Sequence, residues 1–453
     1  MMADPVRADA SVVPMVSETA INRDIGVIDI GSNSVRLVHF RVEGRALWPI
    51  FNEKVMAGLG KGVRESGRLN PSGREVALRA LKRFQRLLDA KGVRDRHVIA
   101  TAAVRNAQDG PDFVEAVADL TGMEVRILSG EDEAALSALG VVTGIPDAHG
   151  MMGDLGGSSL ELTPIAHGQP GPGVTLPLGP QEVLRDSDWD KRNAKQVVEA
   201  ALDACALDLE TGGSFYAVGG AWRALAQLAF ARFGSPLHVV HQFSLGRTQV
   251  MELTKLATRL SAASLTGTPG LSSRRVATLP YAALLLRRVM KRGGFSRLVF
   301  SAYGVREGVL ASGLPEALLS TDPLIAGAEA MALPAAPTPG FGRALAAWIA
   351  PAMSEVEPAF DPTRDCVMQE TAARLVDIGA RLHPDHRADL ARDSVLYAPF
   401  AGITHAERVF LAAVIHYRYG GKPGALEGLE EFTLLSDQQH DVVAVIPDRL
   451  HDP

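Results

Sequence analysis

Two short stretches of the sequence combine a carboxylate with glycines and hydroxyl groups, a combination suited to holding phosphate. They are DIGSNS, residues 29–34, and DLGGSS, residues 154–159. Glycine lets the backbone approach a ligand closely, successive N–H groups in a tight turn form an anion-binding concavity, and serine hydroxyls add donors. The opening aspartate would repel phosphate. It is therefore expected to bind or anchor Mg²⁺, which takes one or two carboxylates together with substrate oxygens and water.

The two stretches lie 125 residues apart and have the same surroundings. Each is followed by an alternating strand and then by a glycine turn, at residues 43–45 and 167–169, which predicts a β-hairpin in each half. One such motif could be an ordinary turn rich in glycine and serine. Two motifs in register favour two related α/β lobes that face each other.

Three further charged residues could take part in chemistry at these loops. Arg105 follows the apolar strand 98–103, at the strand end where ligands of α/β sheets usually bind, although a surface salt bridge is the alternative. Glu133 lies in the first turn of a helix that Ser129 opens, where the helix dipole alone would favour an acid. Glu161 lies between two leucines and could face a ligand or belong to a half-exposed strand.

Composition excludes several broad classes of protein. The chain has 453 residues and a net charge of −6, so no bulk electrostatic attraction to nucleic acid or to a membrane surface is expected. The two cysteines, Cys205 and Cys366, are isolated and indicate a reduced, cytoplasmic protein. Residues 1–24 are polar and irregular and are expected to form a flexible tail without a targeting segment.

The two glycine-rich stretches resemble the first and second phosphate motifs of the actin, sugar-kinase and seventy-kilodalton chaperone superfold. The Ser-Asn-Ser version resembles the exopolyphosphatase / guanosine pentaphosphate phosphohydrolase family. Further stretches that fit this family are ATAAVRNAQDG (100–110), ILSGEDEAALSALGV (127–141), YAVGGAWRALAQL (216–228) and SAYGVREGVL (301–310). The similarity runs from about residue 25 to 312 and continues more weakly to the C-terminus.

The resemblance implies a role for each candidate residue. It makes Glu133 the general base, with Asp132 the neighbour most easily confused with it, and Arg105 the catalytic arginine. The implied metal-binding carboxylates are Asp154, Glu161 and Asp29. The implied phosphate-binding residues are Gly31, Ser32, Asn33, Ser34, Gly156, Gly157, Ser158 and Ser159. Gly31 is expected to matter for close approach of the substrate or for a positive φ.

Two glycine-containing segments leave alternatives open. In the kinases of this superfold the turn that matches Gly219-Gly220 holds adenosine, whereas a purely structural turn is favoured here. The segment 58–68 contains four glycines, one lysine and two arginines, and it could lie over a phosphate chain or be a solvated loop. Ser158 stands where the family usually has a third glycine, and Leu160 stands where threonine is common.

The implied fold has two ribonuclease-H-like α/β lobes of the actin-like ATPase superfold with a cleft between them, plus a mostly helical, HD-like C-terminal domain. The expected boundaries are a tail at 1–24, lobes at 25–145 and 146–320, a linker rich in alanine, proline and glycine at 321–342, and the helical domain at 343–453. The C-terminal histidines lack a recognisable metal-ligand order, and core or surface positions are favoured for them.

The reaction expected from the resemblance is hydrolysis of the terminal phosphoanhydride of inorganic polyphosphate, with Mg²⁺ or another divalent cation. Guanosine pentaphosphate is the alternative substrate, because it also ends in a phosphoanhydride. A non-catalytic polyanion sensor and an ATP-dependent small-molecule kinase are less favoured. The expected protein is a homodimer that acts without nucleic acid or membrane partners.

Overall fold

The computed structural model describes residues 22–184, 190–210, 212–354 and 356–443. The predicted tail lies outside these residues up to position 21. The prediction of a flexible tail is wrong for residues 22–24, because these residues open the first strand, where Asn22 pairs with Glu43. No helix among the described residues is long and apolar enough to cross a bilayer.

The first sheet has five strands in the order β3-β2-β1-β4-β5. They are β1 (Asn22–Ile30), β2 (Val35–Glu43), β3 (Ala46–Val55), β4 (Asp95–Ala100) and β5 (Val125–Ile127). β1, β2 and β3 form an antiparallel meander, and β4 and β5 continue the sheet in parallel with β1. The accompanying helices are α1 (Val63–Ser66), α2 (Pro71–Ala90), α3 (Ala102–Asn106), α4 (Gly110–Thr121) and α5 (Gly130–Gly144).

The second sheet follows the order β11-β12-β10-β6-β7-β8, with β9 paired to β7. Its strands are β6 (Gly150–Leu155), β7 (Leu160–Ala166), β8 (Gln169–Pro170), β9 (Val174–Leu176), β10 (Ser214–Val218), β11 (Ser244–Gly246) and β12 (Arg297–Phe300). The helices of this part are α6 (Pro180–Val183), α7 (Lys191–Asp203), α8 (Gly220–Phe233), α9 (Arg247–Ala257), α10 (Ala262–Thr266), α11 (Ser273–Val276), α12 (Leu279–Arg292), α13 (Val305–Ala311) and α14 (Glu316–Leu319).

The two hairpins that carry the phosphate motifs have the same construction, as the repeat predicts. β1 pairs antiparallel with β2 across residues 31–34, and β6 pairs antiparallel with β7 across residues 156–159. Both hairpins continue through the predicted glycine turns, in which Gly44 and Gly168 adopt positive φ angles. The repeat in the sequence is therefore a repeat in the backbone.

Two helices join the lobes and pack closely against each other. α5 leads from the first sheet to the second, and α13 follows the last strand of the second sheet but packs its Leu310 against the first. A Cβ atom on Gly308 would lie 1.8 Å from the carbonyl oxygen of Leu136, and one on Gly140 would lie 2.1 Å from that of Gly304. Glycine is required at both positions because the two backbones nearly touch.

The C-terminal region is mostly helical, as predicted. After α15 (Pro323–Ala332) it contains α16 (Phe341–Met353), α17 (Pro362–Leu375), α18 (Arg387–Leu396) and α19 (His405–Arg418), with 3-10 turns at Pro384–His386, Pro423–Ala425 and Glu430–Leu434. Its core is built largely from α19, whose central residues are buried from Glu407 to His416.

The linker prediction for residues 321–342 is wrong over α15. Asp322 caps this helix by accepting hydrogen bonds from the N–H groups of Leu324 and Ile325, and Pro323 occupies its first turn. Leu324 and Ala328 are fully buried in the core of the C-terminal helices. The alanine-rich composition thus supports a packed helix.

Candidate active site

Four carboxylates from both lobes lie within electrostatic range of one another. This acidic group consists of Asp29, Glu133, Asp154 and Glu161. Asp154 and Glu161 are opposed residues on β6 and β7. Burial raises the pKa of all four side chains, and the charges of neighbouring members raise those of Glu133, Asp154 and Glu161 further.

Glu161 is the most buried member of the acidic group, with only 1% of its surface exposed. Its neighbours Leu160 and Leu162 are fully buried as well, so β7 is not the half-exposed strand of the alternative interpretation. Among the described residues, its Oε1 atom has no hydrogen-bond partner. A buried carboxylate oxygen without a partner is costly, so this position points to a ligand and not to a stabilising role.

The two aspartates have different partners. The Oδ2 atom of Asp154 accepts a hydrogen bond of 2.8 Å from the Ser137 hydroxyl on α5. Asp29 faces the guanidinium of Arg306 on α13, with 4.0 Å between Oδ2 and Nε. The charge of Arg306 opposes the rise in the pKa of Asp29 that burial causes.

Glu133 lies in the first turn of α5, which the predicted N-cap Ser129 opens by accepting a hydrogen bond from the N–H of Asp132. Its Oε2 atom accepts a hydrogen bond of 3.0 Å from Arg105, whose guanidinium also donates to the Leu128 carbonyl. Burial raises the pKa of Glu133 to about 7, against the opposing effect of Arg105. A carboxylate with this pKa can exchange a proton near neutral pH.

Asp132 points away from the acidic group. Its carboxylate lies 3.6 Å from Arg126 in a largely exposed ion pair. The structure therefore separates the two adjacent acids, and it places Glu133 with Arg105 and the acidic group.

The two phosphate loops contact each other directly. In each loop the first glycine donates a backbone hydrogen bond of 3.0 Å to the last serine, from Gly31 to Ser34 and from Gly156 to Ser159. Between the loops, the Ser158 hydroxyl donates to that of Ser32 at 2.9 Å, in a buried position. The serine that replaces a usual glycine thus links the two lobes.

Gly31 does not adopt a positive φ, so the expectation of a left-handed residue there is wrong. A Cβ at Gly31 would meet its nearest neighbour, the Ser34 carbonyl oxygen, at 3.4 Å. The crowded positions are Gly60 and Gly157, whose Cβ atoms would lie 2.9 and 3.0 Å from the Cβ of Ser32. Close packing around Ser32 therefore explains Gly60 and Gly157, whereas neither crowding nor a positive φ requires glycine at position 31.

The glycine-rich segment after the first hairpin packs against the first phosphate loop. Gly60 N–H donates to the Ser32 carbonyl at 2.8 Å and Gly58 N–H to the Asn33 carbonyl at 3.0 Å. Arg64 then reaches the second lobe and donates to the Glu182 carbonyl at 2.9 Å. The segment is therefore ordered and forms hydrogen bonds to both lobes, and it is not a freely solvated loop.

Four basic side chains adjoin the acidic group, a fifth acts on two of these four, and sequence reasoning missed all five. This basic group consists of Arg36, Lys54, Arg223, Arg275 and Arg306. Arg223 and Arg306 lie in the family-like stretches 216–228 and 301–310, and Arg36 follows Asp29 at the spacing that separates Glu161 from Asp154. That repeated spacing is the signal that could have identified it.

The residues present suit a divalent cation only together with a substrate. Among the described residues, no three His, Cys, Asp or Glu side chains form a set that could hold a metal ion alone. The predicted metal-binding carboxylates Asp29, Asp154 and Glu161 therefore do not make a complete site. The unpartnered Oε1 of Glu161 nevertheless fits Mg²⁺, which needs few carboxylates when phosphate oxygens and water complete its shell.

The C-terminal histidines occupy core and surface positions. His416 is buried beside Asp389 on α18, and His383 is exposed. Burial lowers the pKa of His405 to about 4, so it is neutral at physiological pH.

Two family models match the chain in succession. The model of the Ppx/GppA phosphatase family matches residues 37–317. A second, described as the C-terminal domain of exopolyphosphatase, matches residues 324–440. Together they cover most of both sheets and most of the C-terminal helices, but not β1 or the first phosphate loop.

Curated relatives are similar at moderate identity. Exopolyphosphatase 1 of Mycobacterium tuberculosis is 26% identical over 299 residues, which cover 63% of this chain and 87% of that protein. Retrograde regulation protein 2 of Saccharomyces cerevisiae is 29% identical over 342 residues, which cover 66% of this chain and 57% of that protein.

Solved structures are similar in fold. The Aquifex aeolicus member of the Ppx/GppA family is 23% identical with a TM-score of 0.55, over 64% of this chain and 97% of that one. An exopolyphosphatase from Cytophaga hutchinsonii is 21% identical with a TM-score of 0.58, over 65% and 99%. These similarities confirm the predicted two-lobed actin-like α/β fold. The HD-like character of the helical region stays a prediction.

Proposed function

The chain belongs to the Ppx/GppA phosphatase family, and from this premise we propose that it is an exopolyphosphatase. It would hydrolyse the terminal phosphoanhydride of inorganic polyphosphate and release orthophosphate. The relatives named exopolyphosphatase support this substrate, since their similarity covers 63% and 65% of this chain.

The proposal rests mainly on Glu133, a buried glutamate that accepts a hydrogen bond from Arg105 where the two lobes meet. Glu133 would accept a proton from the attacking water as the oxygen bonds to the terminal phosphorus. The bond from that phosphorus to the bridging oxygen breaks, and the shortened chain leaves with its negative charge. Arg105 would hold Glu133 and stabilise charge on the transferred phosphoryl group.

The phosphate loops would bind the terminal group from both sides. Their backbone N–H groups and the hydroxyls of Ser32 and Ser158 are the donors that such loops offer to phosphate. Because these two hydroxyls bond to each other in the free protein, substrate oxygens would replace that contact. Gly31, Asn33, Ser34, Gly156, Gly157 and Ser159 complete the proposed phosphate site.

A divalent cation is proposed as cofactor. Asp154 and Glu161 would hold it, with Asp29 close by, and it would neutralise charge on the phosphate oxygens. The buried, mutually repelling carboxylates support this assignment, because a cation would relieve their repulsion.

A cytoplasmic location is proposed from the cysteines, since Cys205 and Cys366 are both free. The homodimer that the family resemblance implies stays a prediction.

The test is a phosphate-release assay with the purified chain on long-chain polyphosphate, guanosine pentaphosphate and ATP in parallel, with and without EDTA. We expect release from polyphosphate, suppressed by EDTA. Release from guanosine pentaphosphate, and not from polyphosphate, would show that guanosine pentaphosphate is the substrate. Transfer of the terminal phosphoryl group of ATP to an acceptor, without release of orthophosphate, would identify a kinase.

A further inference from the structure

A like-charged pair lies beside the phosphate site on the first sheet. Arg36 and Lys54 are directly opposed on β2 and β3, an arrangement that is normally destabilising. Arg36 donates to the Asn52 side chain at 2.8 Å. Within the described part of the chain, Lys54 forms neither an ion pair nor a side-chain hydrogen bond. The pair therefore lacks a counter-charge on its own sheet beyond Asp29, which is the residue opposite Arg36 on β1.

The second lobe adds Arg275 to this pair. A Cβ atom on Gly220 would lie 2.2 Å from a terminal nitrogen of Arg275 and 2.8 Å from its central carbon. The guanidinium is therefore packed on the bare backbone at the start of α8. The preceding Gly219 has a φ of +103°, and its Cβ would lie 2.5 Å from the Leu155 carbonyl oxygen, so this turn also requires glycine and packs directly on β6.

Basic side chains from the two lobes repel one another beside the phosphate site. Loss of surrounding water lowers the pKa of Lys54 to about 8, and the largest contribution from another charge is that of Arg275. Arg223, one turn into α8, is repelled by both Arg306 and Arg275 and attracted by Glu307 and Asp154, so the cations outnumber the anions around it only when Arg36 and Lys54 are counted as well. Cations held together in this way favour a polyanion between them.

We propose that Lys54 and Arg275, together with Arg36, form a subsite for the phosphate groups that follow the scissile one. We propose further that Arg275 covers the Gly219-Gly220 turn so that a nucleoside has no place against it. This inference rests on the proposed function. It predicts that unesterified polyphosphate is a better substrate than guanosine pentaphosphate.

The first test measures binding of tripolyphosphate by calorimetry and the KM for phosphate release from long-chain polyphosphate. Lys54→Ala and Arg275→Ala should each weaken binding and raise KM by roughly tenfold or more, with kcat little changed. Lys54→Arg should restore binding because it keeps the charge. Lys82→Ala is the matched control, since it removes one exposed charge from α2 and should change neither quantity.

The second test addresses the nucleoside. Arg275→Gly opens the space above Gly220, and the kcat/KM for guanosine pentaphosphate relative to that for polyphosphate should rise by about tenfold. An unchanged or lower ratio would remove Arg275 as the residue that excludes the nucleoside. Thermal unfolding of each variant shows whether it is folded.

The subsite and the proposed function fail in different ways. If the parent chain releases no phosphate but binds tripolyphosphate, and Lys54→Ala weakens that binding, the function is wrong and the subsite stands. If Lys54→Ala and Arg275→Ala bind tripolyphosphate as tightly as the parent, the subsite is wrong whatever the activity. If the parent does not bind tripolyphosphate, both proposals are wrong.

Discussion

The two phosphate-motif hairpins share one backbone and differ in charge. In the first lobe the residue opposite the motif aspartate Asp29 is Arg36, and in the second lobe the residue opposite Asp154 is Glu161. Arg36 is followed across the sheet by Lys54, whereas Glu161 is followed by the uncharged Thr175. The first hairpin thus presents a basic row, Arg36 and Lys54, and the second hairpin presents an acidic row, Asp154 and Glu161.

Under the proposed function, this difference indicates a division of work, in which one row binds the substrate and the other serves catalysis and metal binding. The basic row would bind the phosphate chain and affect mainly KM. The acidic row lies with Glu133 and would affect kcat and the metal requirement.

The largest effect is expected at the acidic side. Glu133→Gln should lower kcat by ~10²–10⁴-fold while substrate binding and Tm stay close to those of the parent, because the base is lost and little packing changes. Steady-state kinetics and tripolyphosphate titration measure this. The neighbouring Asp132→Asn is the control and should keep the parent rate; if the two variants exchange behaviour, the base is Asp132.

A second change on the acidic side concerns the metal. Glu161→Gln should raise the Mg²⁺ concentration for half-maximal rate by roughly tenfold or more, because its unpartnered oxygen is the proposed ligand. A Mg²⁺ titration of the rate measures it. An unchanged Mg²⁺ dependence would take Glu161 out of the metal site.

The matching change on the basic side should act on binding. Arg36→Gln should raise the KM for polyphosphate about tenfold, with a smaller effect on kcat. Arg41→Gln on the same strand is the control, because Arg41 pairs with Asp24. A loss confined to kcat would contradict the division of work.

The pH profile should separate the two sides. Glu133 must be deprotonated to act as base, so kcat should fall as the pH drops below about 7. Lys54 loses its charge as the pH rises through about 8, so KM should rise above that pH. Lys54→Arg should abolish the rise in KM and leave the fall in kcat. A profile of kcat and KM from pH 5.5 to 9 checks both.

The smallest effect is expected at Gly31. Gly31→Ala should keep the rate within a factor of about three, because φ is not positive and the added carbon has room. Gly157→Ala should lower the rate more, because its Cβ would meet Ser32 of the other lobe at 3.0 Å. Phosphate release and Tm of the two variants give the comparison; equal behaviour would mean that crowding between the loops is unimportant.

The repeat made the hairpins predictable, because glycine turns and alternating strands are local signals. The N-cap Ser129 was predictable for the same reason. The basic group was not, since Lys54, Arg275 and Arg306 come from distant elements and a charged residue on a strand or helix looks the same in sequence whether it faces water or a site. The helix α15 was missed because alanine and proline suggested a linker, although Asp322-Pro323 is a helix-start signal.

The close packing of α5 on α13 has a mechanical consequence. These are the two helices that connect the lobes, one carrying Glu133 and the other Arg306. Since the two backbones meet at Gly140 and Gly308, a side chain at either position would push the helices apart. The two helices therefore form a rigid unit that fixes the position of the proposed base relative to Arg306. A substitution at either glycine would disturb the acidic and the basic group at once, although neither glycine belongs to them.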